Sequence, residues 1–252
     1  MRLGMVKPLA IVIGIGLAAC SHESQFKKAP PAVTAATNMQ LALEYMRLGK
    51  LANSRDTMER ALSEDPGNAD VQMTAGLIYE RLNDMPKAER AYSTGYRLGK
   101  GDPNIQNTYA GFLCRTGKAV AGEKLFAEVA RNPLYQTPEV ALVNAGVCVR
   151  GTGDVVDAER YFNRALAIRP NLPEAMLQLG NIAFDRGDAA QARDMVQRYL
   201  AVNAPTSEVL WLGFRAERKL GDSTAAAGYA RRVQSEFPNS EQAQTMRAGV
   251  DR

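Results

Sequence analysis

A pair of helices recurs along this chain with a period of 34 residues. The clearest copy runs from Glu139 to Leu172. Ala141, Leu142, Ala145, Gly146 and Val149 return at three- and four-residue steps and mark one apolar helix face. Gly151 and Gly153 interrupt that helix, and Asp154 is placed to cap the next by accepting a backbone N–H. Ala158, Tyr161, Phe162, Ala165 and Leu166 form a second apolar face. Pro170 closes the unit, because proline has no N–H to donate and clashes with the preceding turn. A single pair of this length cannot bury both stripes, so the unit requires neighbours of its own shape.

Those neighbours are legible when each unit is numbered by slot. Six fit: 35–68, 69–102, 103–136, 139–172, 173–206 and 207–240, with one slip of two residues at Thr137–Pro138. Slot 20, where the second helix would cross the first, holds Ser54, Ala88, Gly122, Ala158, Ala192 and Ala226. Slot 15 holds Gly49, Asn83, Gly117, Gly153, Gly187 and Gly221, as a turn requires. Slot 8 is small in five units and Phe214 in the sixth; slot 24 holds Met58, Tyr92, Phe126, Phe162, Val196 and Ala230. Pro66, Pro170 and Pro238 occupy slot 32, replaced elsewhere by Lys100, Leu134 and Ala204. This is the tetratricopeptide pattern. It predicts an all-α, right-handed solenoid of about six helix-turn-helix repeats over residues 38–250.

The amino-terminal segment reads differently. Arg2 and Lys7 precede an uncharged apolar core from Leu9 to Ala19, shorter than the roughly 20 residues of a spanning helix. It ends in Leu17-Ala18-Ala19-Cys20, which resembles a bacterial lipobox. The resemblance implies a lipoprotein signal peptide over 1–19, cleavage before Cys20, and lipidation of Cys20. An ordinary signal peptide or a weak membrane anchor is the competing reading. Ser21 after the cysteine favours the outer membrane over retention in the inner one. Residues 20–37, with Pro30-Pro31 and no apolar period, read as a flexible tether.

Few chemistries remain open. Basic and acidic residues nearly balance, 31 against 27, without the basic stripe of a nucleic-acid binder. The one histidine, His22, stands in the tether with no ligand set around it. Gly99-Lys100-Gly101 lacks the spacing of a phosphate loop and reads as a turn. No His, Cys or carboxylate set has catalytic spacing, so no enzyme activity, metal or cofactor is expected. Cys114 and Cys148 fall on neighbouring first helices. In an exported chain they are candidates for a disulfide; two buried thiols acting as small apolar side chains are the alternative.

Slots 2, 5, 9 and 12 of each first helix keep one face toward the inside of the superhelix. In the first two repeats this face carries Met39, Leu43, Met46, Met73 and Leu77, an apolar surface suited to a helix or strand of another protein. Later repeats present Asn107, Gly111, Val143, Val147, Arg150, Leu177, Asn181, Phe184, Trp211, Arg215 and Arg218 there. Simple burial of these side chains as core is the other reading.

Several local strings carry a family resemblance: Asn107-Thr108-Tyr109-Ala110-Gly111-Phe112-Leu113-Cys114, the run from Asn132 to Pro138, Ala141 to Cys148, and Phe237-Pro238-Asn239-Ser240. With the lipobox and the repeats, they make the chain similar to the type IV pilus biogenesis/stability lipoproteins, the PilF/PilW pilotin family. That resemblance implies a non-enzymatic outer-membrane lipoprotein on the periplasmic face that helps the pilus secretin localise and assemble. It also implies a Cys114–Cys148 disulfide and a partner groove in the first repeats. A tetratricopeptide lipoprotein of a tight-adherence pilus, or an outer-membrane or peptidoglycan assembly adaptor, would share the same scaffold.

Overall fold

The computed structural model describes residues 30–249. Within them the chain forms thirteen α-helices and no strand. In order they are α1 (Pro31–Arg47), α2 (Leu51–Glu64), α3 (Ala69–Arg81), α4 (Met85–Leu98), α5 (Pro103–Arg115), α6 (Ala119–Val129), α7 (Pro138–Arg150), α8 (Val155–Ile168), α9 (Pro173–Asp185), α10 (Ala189–Val202), α11 (Ser207–Leu220), α12 (Ser223–Glu236) and α13 (Glu241–Ala248). Odd and even helices pair within each repeat, each pair stacks on the next, and successive odd helices such as α3, α5 and α7 are neighbours. No helix among the described residues is long and apolar enough to cross a membrane.

The slots act as the pattern predicts. All six slot-15 residues have positive φ, from 59° at Asn83 to 96° at Gly187, which reverses the chain between paired helices. All six slot-20 residues are buried where paired helices cross. Ser54 is the polar one, and its hydroxyl donates to the Ala42 carbonyl at 2.8 Å, so its burial leaves no orphan donor. Asp84, Asp154, Asp188 and Asp222 each cap a second helix through a side-chain oxygen. The core runs as three main apolar clusters that overlap at α5 and α9, with a small fourth at Val129, Tyr135 and Ala141, so burial is continuous along the stack.

Four features depart from expectation. Helix α1 begins at Pro31, inside the stretch read as tether; proline at the first helical position is pre-set for a helix, and Ala35 is fully buried. The segment read as a signal peptide, Cys20 and the tether up to residue 29 lie outside the described residues. Second, α6 is only 11 residues long and stops short of Pro133. The loop beyond it turns Tyr135 inward onto Val129 and Ala141 and leaves Leu134 74% exposed. Third, the sixth repeat keeps its close helix contact one residue earlier. Gly213, not Phe214, faces the second helix, and a Cβ there would lie 2.8 Å from the Tyr229 ring, matching Gly146 against Phe162 at 2.7 Å. Finally, α13 extends the stack beyond the sixth repeat and buries Ala243 against the carboxyl-terminal cluster.

Adjacent repeats are also linked through slot 21, a regularity the apolar pattern does not reveal. Glu89 pairs with Lys118, Glu123 accepts from the Tyr161 hydroxyl at 2.8 Å, and Glu159 pairs with Arg186 at 3.1 Å. Each glutamate thus holds a group of the following repeat.

Candidate protein-binding groove

Three consecutive odd helices, α3, α5 and α7, wall a groove of about 640 Å³. Its apolar surface comes from Met73, Leu77, Ile105, Phe126 and Val147. Its polar surface comes from Asp70, Thr74, Asn104, Asn107, Thr108 and Asn144. The Asn144 side-chain amide donates to Asn107 Oδ1 at 3.3 Å, which aligns two side-chain amides across α5 and α7. A side-chain amide has two donors and an acceptor with two lone pairs, so each keeps capacity for another bond. Gly111 contributes no side chain to the wall: a Cβ there would stand 3.1 Å from Arg115 Nη1 and 3.9 Å from Phe126.

The rim is braced. Cys114 and Cys148 are joined by a disulfide with Cα atoms 5.5 Å apart, tying α5 to α7, and both cysteines line the groove. Small Gly122 makes room for it, since a Cβ there would come within 2.4 Å of Cys114 Sγ. On the other side, Arg115 donates to both oxygens of Glu80, at 2.6 and 3.0 Å, bridging α5 and α3. The Tyr92 hydroxyl donates to the same carboxylate at 3.0 Å. The hydrogen bond from Arg115 is the main influence holding the Glu80 carboxyl below its ordinary range, against some desolvation. Burial, then the Glu80 charge, pushes the Tyr92 hydroxyl up. The brace is therefore ionised and fixed at neutral pH.

Of the five side chains expected to meet a partner, the structure brings Met73 and Leu77 to the groove. Met73 is only 5% exposed, and its Cγ packs 3.1 Å from where a Cβ on Gly95 would stand, so it is chiefly core. Leu77 is half-buried. Met39 and Met46 are half-buried against the amino-terminal cluster, and Leu43 is half-buried on α1; none of the three lines the groove. The groove is centred one repeat further along the chain, and Asn107, Gly111 and Val147 of the predicted inner face belong to it. Slot 6, left out of that face, supplies Thr74, Thr108 and Asn144. A polar residue at the same slot in three consecutive repeats was the available signal. Among the described residues no group of three or more His, Cys, Asp or Glu could hold a metal ion.

Tetratricopeptide-repeat family models match residues 39–103, 150–213 and 209–240. The type IV pilus assembly protein PilF of Pseudomonas aeruginosa is 21% identical over 210 residues, covering 83% of each chain. Its solved structure superposes with a TM-score of 0.68 at 20% identity, over 87% of this chain and 99% of that one, a likeness of fold. The crystal structure of PilW, described as a widely conserved type IV pilus biogenesis factor, superposes with a TM-score of 0.72 at 30% identity, over 84% of this chain and 97% of PilW. By that identity across nearly the whole of PilW, and by its repeats, the chain belongs to the tetratricopeptide-repeat proteins of type IV pilus biogenesis.

Proposed function

We propose that this chain is a pilotin: a non-enzymatic, lipid-anchored scaffold at the periplasmic face of the outer membrane that promotes localisation and assembly of the pilus secretin. The observation that carries this reading is the groove over α3, α5 and α7, where apolar walls flank a row of amides and hydroxyls. Such a lining suits an extended polypeptide. The backbone of a bound strand needs hydrogen-bond partners, which Asn107 and Asn144 can offer, and its alternate side chains need apolar pockets. The disulfide and the Arg115–Glu80 bridge hold the three walls at fixed spacing, which lowers the ordering cost of binding. Lipidation at Cys20 would fix the scaffold to the membrane, where each buried CH₂ adds about 0.8 kcal/mol. Captured subunits would then be concentrated at that surface.

Leu77→Glu and Val147→Glu place charge in the groove at a half-buried and an exposed position, so the helices stay intact. Assembled secretin rings in the outer membrane should be lost in both variants while circular dichroism is unchanged. Normal ring yield in both would remove the groove from the reading. Cys20→Ala should release the chain from the membrane fraction, and a variant that still sediments with membranes would remove the lipid anchor.

A further inference from the structure

Beyond the groove, the same face of the odd helices continues onto α9 and α11, where its chemistry changes. Slots 9 and 12, occupied by Gly111 and Cys114 in the groove, hold Asn181 and Phe184 on α9, then Arg215 and Arg218 on α11. These side chains form an ordered cluster. Arg215 donates to Asn181 Oδ1 at 3.2 Å and lies 4.4 Å over the Phe184 ring. The Lys219 ammonium stands 5.3 Å from that ring, and the Arg218 guanidinium 5.5 Å from the ring of Phe214. Phe214 in turn stacks on Trp211 at 5.3 Å. Ring faces attract cations, so the Phe214 and Phe184 rings hold the Arg218 and Lys219 charges in place without neutralising them.

Two carboxylates near the cluster are engaged elsewhere and a third is buried. Asp185 pairs with Arg150 at 2.9 Å, Asp188 caps α10, and Glu217 is buried beside Tyr229. Among the described residues, neither Arg218 nor Lys219 has a carboxylate within ion-pair distance, although both are exposed. The groove, by contrast, opens beside Asp70 on α3. We infer that the aromatic and cationic cluster on α9 and α11 binds an acidic stretch of polypeptide, continuous with the segment held in the groove. This deepens the proposed secretin-capture reading and rests on it for the identity of the segment, though not for the chemistry of the site. At about 8–10 Å between neighbouring helices, the step from α5 to α11 is roughly 24–30 Å. An extended chain covers that in about seven to nine residues. The fitting segment therefore has apolar residues toward one end and glutamates or aspartates toward the other.

Trp211 is the single tryptophan of the chain and reports on this cluster. The full chain in detergent, titrated with a hexaglutamate peptide, should show a saturable change in tryptophan emission that weakens with added salt; hexalysine should give none. Replacing Arg218 and Lys219 together by alanine removes two exposed charges and should weaken the response about tenfold. No response to hexaglutamate, an equal response to hexalysine, or full affinity in the double variant would overturn the inference. So would a response to phosphatidylglycerol doped into the micelles where the peptide gives none, which would make the surface a lipid contact. Leu77→Glu should leave the peptide response intact. If rings assemble normally in that variant and in Val147→Glu while the peptide still binds, the groove reading fails and the acidic site stands.

Discussion

A methyl group at Gly122 would lie 2.4 Å from Cys114 Sγ and 2.8 Å from the Ala110 carbonyl oxygen. One of these is backbone and the other is pinned by a covalent bond, so neither can move away. Gly122→Ala should therefore destabilise the fold by about 1–3 kcal/mol, the range for overpacking, read as a lower midpoint in urea at unchanged slope. Glu80 gives a second test. Its carboxyl is held below the ordinary value of 4.5, so the folded state favours the ionised form more than the unfolded state does. That stabilisation is complete above about pH 4.5 and disappears as pH falls through the lower folded-state value. Glu80→Gln should cost stability at pH 7, and its deficit against the parent chain should shrink in urea melts taken at pH 4 and then 3. A deficit constant with pH would mean that the brace acts by packing rather than charge.

Single helices were legible in proportion to how strongly their ends and faces are marked. The Asp154 cap, the slot-15 turns and the buried slot-20 crossings could be read directly because each depends on one residue type at one place. Helix α1 hid its start because Pro31-Ala32-Val33-Thr34-Ala35-Ala36-Thr37 has no apolar period, and only packing shows Ala35 as buried. The shortened α6 follows from Pro133 and the inward turn of Tyr135, a tertiary contact with no local signature. The shifted contact of the sixth repeat is similar: Gly213 and Tyr229 move together, and slot counting assigned the position to Phe214. Removing the Asp188 cap by Asp188→Ala should cost about 1 kcal/mol, seen as a small drop in melting temperature, since the Gln191 N–H then loses its partner.

Across the molecule, the stacking of similar pairs was evident from the 34-residue period, whereas the groove's position was not. Apolar content pointed to the first two repeats, because Met39, Met46 and Met73 are the conspicuous apolar residues there. In the structure Met73 is chiefly core and Met39 and Met46 are half-buried against it, while the groove opens over α3, α5 and α7, where Asn and Thr side chains stand beside Leu77 and Val147. Periodicity shows which face a residue shares; whether the space beside it is filled depends on neighbouring repeats. The disulfide has an effect on the same scale. Reduction, or Cys114→Ser with Cys148→Ser, reopens a loop of 34 residues and should lower stability by about 3–4 kcal/mol in the chain-entropy model. In a stack coupled through nearest neighbours, the loss should fall on the central repeats and separate the melting of the two ends in calorimetry. A single unshifted transition would contradict it.

The Cys114–Cys148 bond also alters how the molecule would carry mechanical load. Pulled from its two termini, the solenoid can pay out only chain outside the crosslinked span, which withholds roughly 120 Å of contour at about 3.6 Å per residue over its separation of 34. Tension would strip the outer repeats first and leave α5, α6 and α7 clasped, so the recess between them would keep its shape while its flanks unravel.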